Sequence, residues 1–88
     1  MKTIYEYDLE VTDTQEVVLP VGSKILTVQV QNGVPCLWAT VDVEKPNTDK
    51  KVIRTFGTGQ EINANNLKYI NTYQLYGGEV VFHVFMEK

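Results

Sequence analysis

The sequence is short of nearly everything that catalysis and metal binding draw on. Its 88 residues include one cysteine (Cys36), one histidine (His83), one serine (Ser23) and one tryptophan (Trp38). A single thiol forms no internal disulfide. One histidine among scattered carboxylates supplies neither a zinc nor a calcium site, so no metal and no cofactor is expected. Ser23 stands outside any G-x-S-x-G turn, which leaves Cys36 and His83 as the one conceivable thiol–imidazole pair. Both fall mid-strand in apolar surroundings, where cysteine reads as a small buried hydrophobe and histidine as an imidazole bonded to backbone or a Tyr hydroxyl. Glu6, Asp8 and Glu10 alternate along one strand and read as its wet side, not as the paired acids of a glycosidase. No catalytic residue is assigned, and the chain is expected not to be an enzyme.

Long apolar runs are also missing: none approaches the roughly 18 residues that span a bilayer. The acidic, alternating N-terminus lacks the basic and apolar regions of a signal peptide, so a cytoplasmic protein without membrane contact is expected. Basic charge is scarce too, with 8 Lys and Arg against 11 Asp and Glu and a net charge of −3. That balance argues against sequence-independent nucleic-acid binding, which draws on cations meeting phosphates. The charge is uneven, however. Glu6, Asp8, Glu10, Asp13 and Glu16 crowd the beginning of the chain, whereas Lys45, Lys50, Lys51 and Arg54 cluster around residues 45–54.

What the chain does have is apolar content for a core, 43% of residues, arranged at period two. Tyr5, Tyr7, Leu9 and Val11 alternate with Glu6, Asp8 and Glu10, the pattern of a half-buried strand. A second strand covers residues 16–19 and ends at a Pro20–Gly22 turn. Leu26, Val28 and Val30 lead into Asn32-Gly33, a type I′ hairpin signal, and Leu37, Ala39 and Val41 share one face of the return strand. Its other face, with Cys36 and Trp38, is bulky enough to be covered as well. Residues 42–51 read as an exposed loop, 52–56 as a short strand, 57–60 as a turn and 61–62 as a brief return, with one helical turn at 63–67 capped by Asn63. Leu67, Ile70 and Tyr73 also fit a helix, but β-forming Tyr69, Ile70, Thr72 and Tyr73 and the following Gly77-Gly78 favour a hairpin of strands 69–76 and 79–86. The expected fold is all-β: one domain over residues 1–88, a small sandwich or barrel of about seven mostly antiparallel strands.

Two groups of residues are candidates for binding. Arg54 ahead of Gly57, Thr58 and Gly59 suggests a phosphate-binding turn, with Trp38 as the ring that stacks on a base. Tyr69, Tyr73 and Tyr76, with Lys50 and Lys51 of the charged segment, suggest a protein interface. Strand 80–86 is apolar on both faces, and that strand or the Tyr69–Tyr76 hairpin is expected to pair chains into a homodimer or larger assembly.

Three stretches taken together resemble a family of short uncharacterised domains encoded mainly by bacteriophages and prophages. They are residues 28–39 around Asn32-Gly33, then Gly57-Thr58-Gly59, then Thr72-Tyr73-Gln74-Leu75 with Gly77-Gly78 and Phe82-His83-Val84-Phe85. The resemblance carries over no catalytic or binding residue. It implies a phage accessory protein in the bacterial cytoplasm; the expected partner is a host protein or, from Arg54 and the Gly57–Gly59 turn, a small nucleotide. Three functions fit: an inhibitor of a host or anti-phage defence factor, a sponge for a small nucleotide signal, and a virion-associated structural accessory.

Overall fold

The computed structural model describes residues 1–88. Seven strands follow one another: β1 (Lys2–Asp8), β2 (Thr14–Pro20), β3 (Lys24–Gln31), β4 (Val34–Asp42), β5 (Asn47–Gly57), β6 (Leu67–Leu75) and β7 (Val80–Glu87). They form two antiparallel sheets, a three-stranded one in the order β1-β4-β3 and a four-stranded one in the order β2-β5-β7-β6. The sheets face one another as a sandwich, and alternate residues supply a shared core. Leu37, Ala39 and Val41 of β4 and Val28 of β3 meet Leu19, Ile53, Tyr73, Leu75 and Val84 of the other sheet. The period-two alternation is what delivers these side chains to one face of each strand. No helix is long and apolar enough to cross a membrane.

Both hairpin signals close as turns. Asn32 and Gly33 each take positive φ (53° and 79°), which makes the Asn-Gly pair fit between β3 and β4. Between β6 and β7, Tyr76, Gly77 and Gly78 all take positive φ (53°, 67° and 94°).

Several local expectations change. Residues 42–51 are not one loop: only the short stretch before Asn47 turns, and β5 begins there because Asp49 and Val17–Leu19 of β2 find a ladder partner. Polar side chains do not prevent a strand whose backbone can pair. Residues 61–62 make no return strand and 63–66 no helical turn; the chain crosses extended and bends at Asn65–Asn66, with Asn66 at φ 59°. Strand β7 is not an edge, since β5 and β6 flank it on either side. It is apolar on both faces because both are partly covered. Val11 lies beyond the end of β1 and is exposed, and Leu26 leaves the inward set of β3.

The reason for Leu26 is a β-bulge. The register of β3 against β4 slips between Ile25 and Thr27, and that of β6 against β7 slips between Tyr69 and Asn71. Leu26 and Ile70 are thus the extra residues of two bulges on strands that end their own sheets yet lie side by side. Asn71 joins them. Its side-chain Oδ1 accepts from the Val28 N–H (2.7 Å), and its Nδ2 donates to the Val28 carbonyl. Thr27 Oγ1 donates to the same Oδ1 at 3.3 Å. One primary amide replaces a missing rung of backbone pairing between the two sheets.

Asn71→Ala leaves the N–H and C=O of fully buried Val28 without partners. At about 1–3 kcal/mol for each of the two orphaned groups, the loss is about 2–6 kcal/mol by urea unfolding. Asn71→Asp keeps the acceptor and loses the donor, so it falls further at neutral pH than its similar shape suggests.

Candidate functional site

The outer face of a two-layer sandwich is normally its wet side, but on the four-stranded sheet it is aromatic. The pairings Arg54↔Phe85, Phe56↔His83, Tyr69↔Phe85 and Thr72↔His83 set these side chains on the face opposite Ile53, Val84 and Tyr73. Phe56 meets Phe85 edge-on at 5.7 Å between ring centroids, and Phe85 meets Tyr69 at 5.4 Å. The Arg54 guanidinium lies over the Phe56 ring (5.4 Å) and bonds Glu87 at 3.3 Å. Its Nε is buried without a partner. Phe56 is only 3% exposed although it points away from the core, so this row is a second, smaller packed layer. Val52 and Val81 flank it half-buried, and Val18 is exposed beside them.

A chain of side-chain hydrogen bonds crosses the same face. Thr58 Oγ1 lies 2.7 Å from His83 Nε2, His83 Nδ1 lies 2.9 Å from Thr72 Oγ1, and Thr72 Oγ1 lies 2.7 Å from the Tyr69 hydroxyl. Both imidazole nitrogens are held by threonine hydroxyls. A neutral ring donates from one nitrogen and accepts at the other, so the four groups align in a single direction whichever tautomer is present. No carboxylate bonds the ring; its two partners are the Thr58 and Thr72 hydroxyls. The arrangement fixes His83 and Tyr69 as a rigid polar strip beside the aromatic row.

The expected residues divide between surfaces. Arg54 and the 57–59 turn belong to the same strand and its end, but Trp38 lies half-buried on β4 of the other sheet, opposite Glu6 and Thr27. The expected phosphate site therefore does not assemble with Trp38 as its stacking ring. One of its backbone donors is engaged as well: the Gly57 N–H donates to Gln60 Oε1 (2.9 Å), and the Gln60 N–H closes the turn on the Gly57 carbonyl (3.1 Å). Arg54 is committed to Glu87 and Phe56 rather than to the turn. Of the expected interface residues, Tyr69 and Tyr76 are exposed (55% and 75%), and Lys50 is exposed beside Val18. Tyr73 is corrected to the core: it is 5% exposed, its ring packs on Phe82, and burial pushes its phenol pKa up. Lys51 turns the other way from Lys50, toward the space between the sheets.

Cys36 and His83 sit on different sheets and do not meet. Instead, the register Asp8↔Cys36 brings the thiol to Asp8 Oδ1 (3.5 Å), with Glu6 close by. Burial first, then the hydrogen bond to Asp8 and the charges of Glu6 and Asp8, push the thiol pKa up. That is the reverse of an activated nucleophile. The sequence does not signal this trio, since it depends on pairing strands nearly thirty residues apart. The Thr72–His83 contact has a local signal: counting outward from the Gly77-Gly78 turn pairs Leu75 with Val80 and reaches Thr72 opposite His83.

Iodoacetamide at pH 8 is expected to alkylate Cys36 at least tenfold more slowly in the folded chain than in urea. Asp8→Asn removes one of the raising charges and speeds the folded reaction.

No curated protein and no solved structure matches the chain. A family match covers residues 1–88, the whole of the structure just described. The chain therefore belongs to the family described as domain of unknown function DUF7352.

Proposed function

We propose that this protein is a non-enzymatic binding protein that holds a protein partner against the outer face of its four-stranded sheet. The observation that carries this reading is the aromatic row of Phe56, Phe85 and Tyr69 under Arg54, on a face where a free-standing sandwich needs only polar groups. Aromatic rings and arginine are the residues on which interface energy concentrates. Tyr76 extends the reading: it is 75% exposed and holds φ 53°, a conformation uncommon for a bulky residue. The resemblance to phage-encoded domains supports the biological setting, an accessory protein in the bacterial host cytoplasm that inhibits a host or anti-phage defence factor.

Self-association is part of the proposal. With β7 interior, the free edges are those of β1 and β2, and an edge left open invites a second copy. A monomer mass by light scattering at millimolar concentration removes this element and leaves the rest standing.

A photo-reactive residue in place of Tyr69 is expected to crosslink one bacterial protein, while the same group in place of Ile4 on the opposite outer face does not. Tyr69→Ala combined with Val81→Ser should weaken that complex at least tenfold with little change in thermal stability. Equal crosslinking from both positions, or undiminished binding by the double variant, overturns the proposal. Tyr76→Asn relieves the positive φ and should stabilise the fold by about 0.5–1 kcal/mol while weakening the complex.

A further inference from the structure

Two lysines occupy positions where the inside of a sandwich carries apolar groups. Along β5 the inward positions run Asp49, Lys51, Ile53 and Thr55, and on β6 Lys68 pairs with Met86 on the same inward face. Both lie toward the end of the sandwich where β3 and β6 begin. There the bulges at Leu26 and Ile70 separate the two strands beyond the Asn71 bridge, and a cleft of about 290 Å³ opens. Lys24, Lys51 and Lys68 line it together with Leu26, Tyr69 and Ile70.

The charge in this cleft runs against the rest of the molecule. The chain is net negative, yet three of its 8 basic side chains gather here. Lys51 is paired with Asp49 at 3.5 Å, whereas neither Lys24 nor Lys68 has an ion-pair partner. An inward charge on an edge strand can serve to deter strand pairing, which accounts for Lys68 alone. It does not account for Lys51, because β5 is an interior strand between β2 and β7. Cations gathered at one concave site repel one another and raise the local potential, an arrangement that an anion relieves.

We propose that the cleft binds a small phosphorylated molecule, its phosphate among Lys24, Lys51 and Lys68 and a flat apolar part against Leu26, Ile70 and the edge of Tyr69. The volume lies just under the range of about 300–1,000 Å³ typical of small-molecule sites, which suits one nucleotide-sized ligand and not a polymer. Lysines present point charges without the planar fork of arginine, so binding depends steeply on ionic strength. The site is independent of the partner-binding reading.

The test is titration of the ¹⁵N-labelled full chain with AMP, adenosine and inorganic phosphate, followed by amide chemical shifts. AMP is expected to shift residues 24–26, 51 and 68–70 saturably, with affinity falling at least fivefold between 50 and 300 mM salt (a rough screening expectation). Adenosine should bind at least tenfold more weakly. Lys51→Met and, separately, Lys68→Met should each weaken AMP at least fivefold, while Lys50→Met on the outer face leaves affinity unchanged. The unliganded spectra of the variants establish that each is folded, and Lys68 at the rim provides the second variant should Lys51→Met unfold. Absence of saturable shifts with both AMP and phosphate overturns the site. Shifts confined to the outer face, or equal losses with Lys50→Met, overturn its location, and equal affinity for phosphate and AMP overturns the apolar half.

Discussion

One side-chain amide decides how the two sheets of this protein relate. Strands β3 and β6 each end a sheet, and a bulge in each shifts the backbone out of continuous pairing. Asn71 bridges the gap by offering an acceptor and a donor to the same residue, Val28, in the way a neighbouring strand does. An unpaired N–H and C=O at a fully buried residue cost more than a hydrogen bond normally contributes, so the bridge is a condition of burying Val28 and not an ornament on it. The seam is closed on one side of Asn71 and open on the other. The closed side preserves the core around Val28, Leu37 and Val84, and the open side is where the lysine-lined cleft lies.

How much of this was legible from the sequence depends on how local the determining interaction is. Hairpin turns are local: Asn32-Gly33 and Gly77-Gly78 fixed two strand pairs, and the alternation of Leu37, Ala39 and Val41 fixed which face is buried. The all-β class and the strand number followed from the same signals. The bulges were not visible, because an extra residue such as Leu26 or Ile70 looks like one more strand residue until its partner strand is known. The start of β5 was hidden by composition, since Thr48, Asp49, Lys50 and Lys51 suit a loop as well as a strand laid against β2. Site residues were legible only as types. Tyr69 and Tyr76 do lie at the surface, but the sheet order separates Trp38 from Arg54 and puts Tyr73 inside, and sheet order is a long-range property.

The two proposed binding surfaces differ in physical character. The outer face of the four-stranded sheet is broad, aromatic and rigid, with His83 and Tyr69 held by threonine hydroxyls and Arg54 by Glu87. Such a surface spends little conformational entropy on contact. The cleft is small and concave, and its charge is carried by flexible side chains that adapt to a ligand. Tyr69 borders both, with its ring on Phe85 and its residue at the cleft wall.

The interior placement of β7 also sets the order in which the protein can be built. β7 follows β5 and β6 in the chain, yet it lies between them, so those two strands have no neighbour in common until it is made. Before that, the growing chain can form the β3–β4 hairpin and pair β1 with β4 and β2 with β5, while β6 has no strand to pair with in its own sheet. Inserting β7 completes two ladders at once and sets Met86 beside Ile53 and Phe82 beside Tyr73. Closing the four-stranded sheet is thus concentrated in a cooperative step that waits for β7.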